Sequence, residues 1–590
     1  VSLTTSSLLN HTWLTLLPPE FRHPGQGRTS WLQHQRDSAI MLKKPVNPHW
    51  LLLGYALALA SLYNLPLWQK VFPLLPDNGR LAITIAILAS LTGFFFLALN
   101  LVPTRLIGRS LLSLILLTSA LASYFMQQYG IVIDANMIQN VLQTDWRETL
   151  ELITPKMLAY VTALGVLPIW LLWKIPVKQQ PFHIAIKQRG VALLTTTIFV
   201  GATTIAFYPN LAPLVRNNTD LKYSLLPNNI INGLKHHLGK SLATPIKISA
   251  IGTDAHKTTM TSHLDKPTLF VLVVGETARA DHFSLGGYTR NTNPELSREQ
   301  NVIYFDRVHS CGTETAVSLP CMFSGMGRDN YSHNQAASQE NLLDIVKRAG
   351  TDVIWMDNQS GCKNICARVK NLQRQSLQKA ANCGDEECHD DIFINEVRKL
   401  SHTLQHDTLL VLHQMGSHGP AYHLRYPSDF DRFHPACKTA QIDQCSVEQI
   451  RNSYDNTILF TDHVLAGIIS ALKEPESAPA AMLYLSDHGE SLGEMNMYLH
   501  GAPYFIAPEQ QKHIPMIFWM SDFFESRKGI ENGCLAREKN TPLSHDNLFH
   551  SVLGILDIGT SLYQPRLDMF NHCRAKAKPA SGNNITRGHA

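Results

Sequence analysis

The sequence predicts an α-helical membrane domain of five transmembrane helices, followed by an exported α/β domain with a central, mostly parallel sheet. Three observations predict it. Five long apolar segments free of Asp, Glu, Lys and Arg lie before about residue 210. All ten cysteines lie beyond them. Past residue 266, short β-rich runs alternate with helical stretches. At 590 residues the chain exceeds one ordinary domain, and its 17% charged content falls below the roughly 25% usual for soluble proteins. The net charge of +4 is small for this length, and no basic stretch interleaves with aromatics, which argues against nucleic-acid binding.

The first forty residues, with "PPEFRHPGQGRTS", show no apolar period and read as a disordered or non-native extension over 1–40. Met41, Leu42, Lys43 and Lys44 then lead into a membrane domain over 41–209. Its spans lie near 49–69, 81–103, 110–128, 157–173 and 190–208, the fourth being the shortest and carrying Pro168. With the N-terminus cytoplasmic, the inner connections hold Lys43, Lys44, Arg105, Arg109, Lys174, Lys178, Lys187 and Arg189. The outer ones hold Lys70, Arg80, Arg147 and Lys156, so the positive bias selects this orientation and exports everything after residue 209. Between the third and fourth spans, 137–153 reads as an amphipathic helix at the outer membrane boundary. Asn140, Thr144 and Glu148 share one face at i, i+4 and i+8, beside Ile138, Val141, Leu142 and Leu150.

Residues 210–265 read as a linker and interfacial segment, 266–575 as the exported globular domain, and 576–590 as a tail. An even number of cysteines confined to the exported side fits disulfides in an oxidising compartment. Their proximity suggests sequential pairs: Cys311–Cys321, Cys362–Cys366, Cys383–Cys388, Cys437–Cys445 and Cys534–Cys573. Paired CxxC spacing is absent, which argues against a structural zinc cluster.

Four apolar runs of the exported domain end in polar residues. "TLFVLVVGE" ends at Glu276, "DVIWMDNQ" near Gln359, "TLLVLHQMGSHG" passes His413 and reaches His418, and "AAMLYLSDHGE" ends at Asp487 and His488. In open α/β sheets ligands bind beyond the carboxyl ends of strands, so these residues are expected to converge. Crowded acids and imidazoles are costly without a compensating charge, and a bound cation supplies it. In "SCGTETAVSLPCMFSG", Thr313 and Thr315 precede a short helix that Pro320 is expected to stop or kink. Its N-terminus would offer free N–H groups to an anion.

Together "VVGETARADHFSLGGYTRNTNP", "SCGTETAVSLPCMFSG", "VLHQMGSHGPAY" and "YLSDHGESLGE…YLHG" closely resemble the phosphoethanolamine–lipid A transferases, membrane enzymes of polymyxin resistance. The resemblance covers nearly all of 41–575 and implies an alkaline-phosphatase-like, zinc-dependent periplasmic domain tethered to a five-helix domain in a bacterial inner membrane. It implies Glu276, Thr315, Asp487 and His488 as ligands of one tightly bound zinc, with a second ion admitted during turnover, and Thr315 as nucleophile. Lys363, His418 and His500 match positions that contact phosphoethanolamine or a second metal, and Gln359 stands where some relatives have Asn. His413 and Glu490 match neighbouring positions, and Asn140, Thr144 and Glu148 match lipid-headgroup contacts. His418 and His500 are candidates for protonating the departing alcohol. The implied reaction moves phosphoethanolamine from phosphatidylethanolamine to a phosphate of lipid A, by a monomeric enzyme. A core-sugar acceptor, or a hydrolase of the same superfamily, is the alternative.

Overall fold

The computed structural model describes residues 45–574 apart from 103–105, 145, 242–247, 259–265, 373–376, 378–387 and 475–476. The expected extension over 1–40, the tail over 576–590 and Cys383 lie outside the described residues. Among the described residues, four helices are long and apolar enough to cross a membrane: Arg80–Asn100, Leu106–Tyr129, Pro155–Lys174 and Phe182–Ala206. A bent pair, Pro48–Tyr63 and Leu65–Leu74, turned by 57°, makes a fifth when taken as one span. This is a multi-pass membrane protein.

The first span is bent, and the reason is local. Pro66 cannot donate into the ladder, and Asn64, buried at the break, supplies replacements. Its amide donates to Leu59 O and Leu226 O and accepts the Leu226 N–H. Pro168 is absorbed differently. The helix makes a π-turn over Thr162–Val166, and the Leu164 carbonyl, deprived of its donor, accepts the Tyr63 hydroxyl.

The amphipathic stretch forms two helices instead of one, α1 (Ala135–Gln143) and α2 (Trp146–Leu152). Thr144 is extended at the break, and its hydroxyl donates to Asn140 O at 2.9 Å. A side chain that bonds the preceding turn gives the backbone an alternative to continuing the helix. Asn140 and Thr144 therefore do not share a helical face with Glu148, which sits on α2.

The domain that follows the spans is built on an eight-stranded sheet. In chain order its strands are β1 (Leu269–Gly275), β2 (Ile303–His309), β3 (Asp352–Asp357), β4 (Lys370–Leu372), β5 (Thr408–His413), β6 (Ala480–Ser486), β7 (His513–Met520) and β8 (Leu543–Ser544). The spatial order is β8-β2-β7-β6-β1-β5-β3-β4. Only β7 runs antiparallel to its neighbours in this sheet. The central strands are buried on both faces, which is why they read as unbroken apolar runs. One face packs on Leu342–Arg348 and Asp546–Ile555, the other on the long helix α4 (Val447–Leu472). Between β2 and β3 lies α3 (Thr315–Met322), which contains Pro320 and ends two residues beyond it.

Four expected disulfides are present: Cys311–Cys321, Cys362–Cys366, Cys437–Cys445 and Cys534–Cys573. Cys388 is also disulfide-bonded. The two parts of the chain touch through polar pairs, Glu151 with Arg425, Lys156 with Asp443 and Gln139 with His333.

Candidate active site and metal centre

Strand register sets the site. Val274 on β1 pairs with His413 on β5, Gly275 pairs with Ser486 on β6, and Asp357 on β3 pairs with His413. Glu276, Asp487 and His488 therefore leave adjacent strands at one end of the sheet, as the apolar runs predict. Thr277 turns the chain after Glu276 with φ 53°, a left-handed backbone rare for a β-branched residue. Gly416 (φ +55°) packs so closely that a Cβ there would stand 2.7 Å from the Glu276 carbonyl oxygen.

Thr315 is the first residue of α3, and neither threonine caps that helix. Thr313 donates its hydroxyl to Ala502 O at 2.6 Å. The Thr315 hydroxyl lies 3.0 and 3.3 Å from the Glu276 carboxylate oxygens and 3.3 Å from His488 Nε2. His488 Nε2 in turn lies 3.4 Å from Glu276 Oε1 and 3.4 Å from Asp487 Oδ2. Asp487 Oδ1 accepts the N–H groups of Thr277 and His488, whereas buried Oδ2 has no hydrogen-bond partner. His488 Nδ1 donates to Gly489 O at 2.9 Å, which turns Nε2 toward the other donors.

These donors suit a divalent ion. Four ligands held tetrahedrally at zinc distances stand about 3.3 Å apart. With Glu276 taken at Oε1, the Thr315–Glu276, Thr315–His488, His488–Glu276 and His488–Asp487 separations span 3.3–3.4 Å. His500 joins the cluster: Glu276, His488 and His500 each bring one ligand atom within 4.8 Å of the others. Burial alone would raise Glu276, but the bond and charge of His488, then His418 and His500, outweigh it and hold the carboxyl below its ordinary range. Burial and then Glu276 push Asp487 up to about 6. Burial would lower His488, yet Asp487 and Glu276 outweigh it and raise it to about 10.

The other expected residues lie as follows. Gln359 Nε2 donates to Glu276 Oε2 at 2.8 Å. Lys363 Nζ donates to Ser360 Oγ at 3.2 Å, beside Gln359. Buried His413 sits 3.3 Å from Asp357 Oδ2; burial would lower it, but the charge and bond of Asp357 outweigh burial and raise it. The rings of His418 and His500 are 5.7 Å apart, and burial lowers His418 to about 3. Glu490 accepts from Tyr422 and faces His500 Nδ1 at 2.8 Å. Asn140 and Thr144 lie on the first outer loop helix and its break, while Glu148 lies on the second.

Two residues escaped the sequence reading. Buried His545 accepts the Cys311 N–H at Nδ1 and donates from Nε2 to Ser486 O, joining the loop before α3 to the end of β6. Nothing in "LSHDNL" marks it. Glu314, between Thr313 and Thr315, is buried, and burial, then Asp134, push it up to about 8.

A sheet carrying acids and imidazoles on its strand ends, facing a hydroxyl at a helix N-terminus, defines a catalytic domain of the alkaline phosphatase/sulfatase superfamily. The Sulfatase family model matches residues 268–558. The model for phosphoethanolamine transferase EptA/EptB matches residues 91–241. Phosphoethanolamine transferase EptA of Escherichia coli (strain K12) is 38% identical over 532 residues, 89% of this chain and 96% of that protein. Phosphatidylethanolamine transferase Mcr-1 of Escherichia coli is 33% identical over 539 residues, 89% and 97% of the two chains. The solved structure of the integral membrane lipooligosaccharide phosphoethanolamine transferase A from Neisseria meningitidis superposes with a TM-score of 0.87 at 33% identity. That match covers 90% of this chain and 100% of the other. The chain belongs to the phosphoethanolamine transferase family.

Proposed function

We propose that the chain transfers phosphoethanolamine from phosphatidylethanolamine to a phosphate of lipid A, with Thr315 as nucleophile. The observation that carries this reading is the Thr315 hydroxyl, 3.0 Å from Glu276 and 3.3 Å from His488 Nε2 at a helix N-terminus. Supporting it, the relatives are named for phosphoethanolamine transfer.

Glu276, Thr315, Asp487 and His488 would hold one zinc tightly, and His500 stands close enough to share a second during turnover. When bound, zinc lowers the pKa of a coordinated hydroxyl and neutralises charge on phosphoryl oxygens. Thr315 Oγ1 attacks phosphorus as its proton departs. The bond from phosphorus to the diacylglycerol oxygen breaks, that oxygen takes a proton, and a phosphoethanolamine–threonine ester remains. A lipid A phosphate oxygen then attacks the same phosphorus and releases Thr315. The free N–H groups opening α3 and the ammonium of Lys363 stabilise the phosphoryl charge. His500 is the better placed proton donor of the two histidines, because Glu490 holds its Nδ1 at 2.8 Å while burial keeps His418 neutral.

The working unit is a monomer in a bacterial inner membrane with its catalytic domain in the periplasm. Residues 41–209 anchor it, 210–265 link, and 266–575 catalyse. Asn140, Thr144 and Glu148 meet lipid headgroups from two short helices. The added ethanolamine offsets lipid A charge and weakens attraction of cationic peptides such as polymyxin. Mass spectrometry of lipid A from cells with and without the protein tests this: a gain of one phosphoethanolamine on lipid A supports it. Modification of a core sugar alone, or release of free phosphoethanolamine with lipid A present, contradicts it.

A further inference from the structure

His500 follows directly on a short hairpin, Ser491–Leu492 paired with Tyr498–Leu499. Glu494 fixes its turn: Oε2 accepts the Leu492 N–H at 2.7 Å and Oε1 meets Arg279 at 2.9 Å. At the tip stand Met495 (φ 53°) and Asn496 (φ 58°), both left-handed. A hairpin turn in water takes Gly, Asn or Asp at such positions. Met495 is a large apolar residue there, 71% exposed, on a backbone its side chain disfavours. Five residues beyond His500, Phe505 is 66% exposed. Single exposed apolar side chains are ordinary, so the argument turns on where these two stand.

Both lie against the end of the membrane domain that faces the catalytic domain. Gly130 follows the span Leu106–Tyr129, and a Cβ on it would stand 2.4 Å from Asn496 O and 3.1 Å from Met497 Cα. The hairpin tip therefore rests backbone to backbone on a span end, too close for any side chain between them. Phe505 lies against Tyr223, with ring centroids 6.4 Å apart. Tyr223 belongs to the turn Thr219–Ser224, whose Leu221 clusters with Leu75 and Ile83, where the first span passes into the second. Lys222 Nζ stands 4.8 Å over the Tyr223 ring, a pairing suited to headgroup level. Between the two contacts, a Cβ on Gly501 would stand 2.8 Å from Met137 Cε of α1. The loop that bears His500 thus touches the membrane domain at three successive points.

We propose that Met495 and Phe505 enter the headgroup–acyl boundary of the leaflet on the catalytic domain's side, seating the His500 loop on lipid. The partner is the bilayer surface that surrounds the span ends these residues adjoin. Burying their apolar side chains there removes them from water, while the polar flanks of the loop stay among headgroups. The tip can approach lipid because its backbone is already bonded within the turn. The Asn496 N–H donates to Gly493 O, the Met497 N–H to Glu494 O and the Gly493 N–H to Met497 O. His500 then stands between two lipid contacts. This seating is independent of which group the enzyme transfers.

Among the described residues no cysteine is free, so a single introduced cysteine can carry a nitroxide. Met495→Cys and Phe505→Cys are labelled in the full-length protein, in nanodiscs of phosphatidylethanolamine and phosphatidylglycerol. Both side chains are exposed, so neither exchange disturbs the core. Spin relaxation compares collisions with oxygen, which enters hydrocarbon, and with a neutral nickel chelate, which stays in water. Leu114→Cys, 59% exposed on a span, is the lipid reference. Phe523→Cys is the aqueous one: it is 63% exposed and follows antiparallel β7, which runs away from the metal cluster to the opposite end of the sheet. The oxygen-to-nickel ratio at both Met495 and Phe505 is expected to exceed that at Phe523 at least about threefold and to approach that at Leu114. A smaller excess at either position overturns the proposal.

Discussion

Glu490 Oε2 lies 2.8 Å from His500 Nδ1, which directs the other ring nitrogen of His500 toward the cluster of Glu276 and His488. Glu490 is fully buried and also accepts the Tyr422 hydroxyl, so its carboxylate is fixed on both oxygens. A carboxylate behind an imidazole sets its tautomer and stabilises its charged form. Glu490→Gln keeps the shape but loses the charge. Its kcat is expected to fall roughly 10–100-fold with KM little changed, measured with labelled phosphatidylethanolamine. A change confined to KM would instead make Glu490 a binding residue.

Gln359 donates to Glu276 Oε2 at 2.8 Å, and its own N–H is held by Asp357. On the proposed zinc site it orients a ligand and is not itself one. Gln359→Ala should weaken zinc affinity about tenfold, whereas Glu276→Ala should abolish tight binding. Competitive titration of the metal-free protein with a zinc chelator separates the two effects.

Metal binding carries a proton signature whose sign follows from His488. Without a cation its imidazole, raised to about 10, stays protonated through neutral pH. An ion on Nε2 must displace that proton, so apparent zinc affinity rises with pH, about tenfold per unit. Below about pH 6 Asp487 also holds a proton, and the dependence steepens there. Calorimetry in buffers of different ionisation enthalpy should record release of about one proton per zinc near pH 7.

The strand-end residues were legible because parallel strands buried on both faces must be apolar along their length. A sudden Glu276 or Asp487 at the end of such a run has no packing explanation. The membrane spans were legible for the same reason of continuity, and the pairing of near cysteines followed from their spacing. Three features were hidden. The break at Thr144 depends on one hydroxyl turning back to Asn140 O, which no periodicity reveals. The bend at Asn64 depends on Leu226, far along the chain. His545 acts through contacts with Ser486 and Cys311 that exist only once distant segments meet.

The account stands on the hydroxyl of Thr315 becoming bonded to phosphorus. Purified, zinc-loaded protein exposed to phosphatidylethanolamine without acceptor should gain the mass of one phosphoethanolamine, localised by peptide fragmentation to Thr315 and absent from Thr315→Ala. Transfer to lipid A that persists in Thr315→Ala, or an adduct mapped to another side chain, would contradict it.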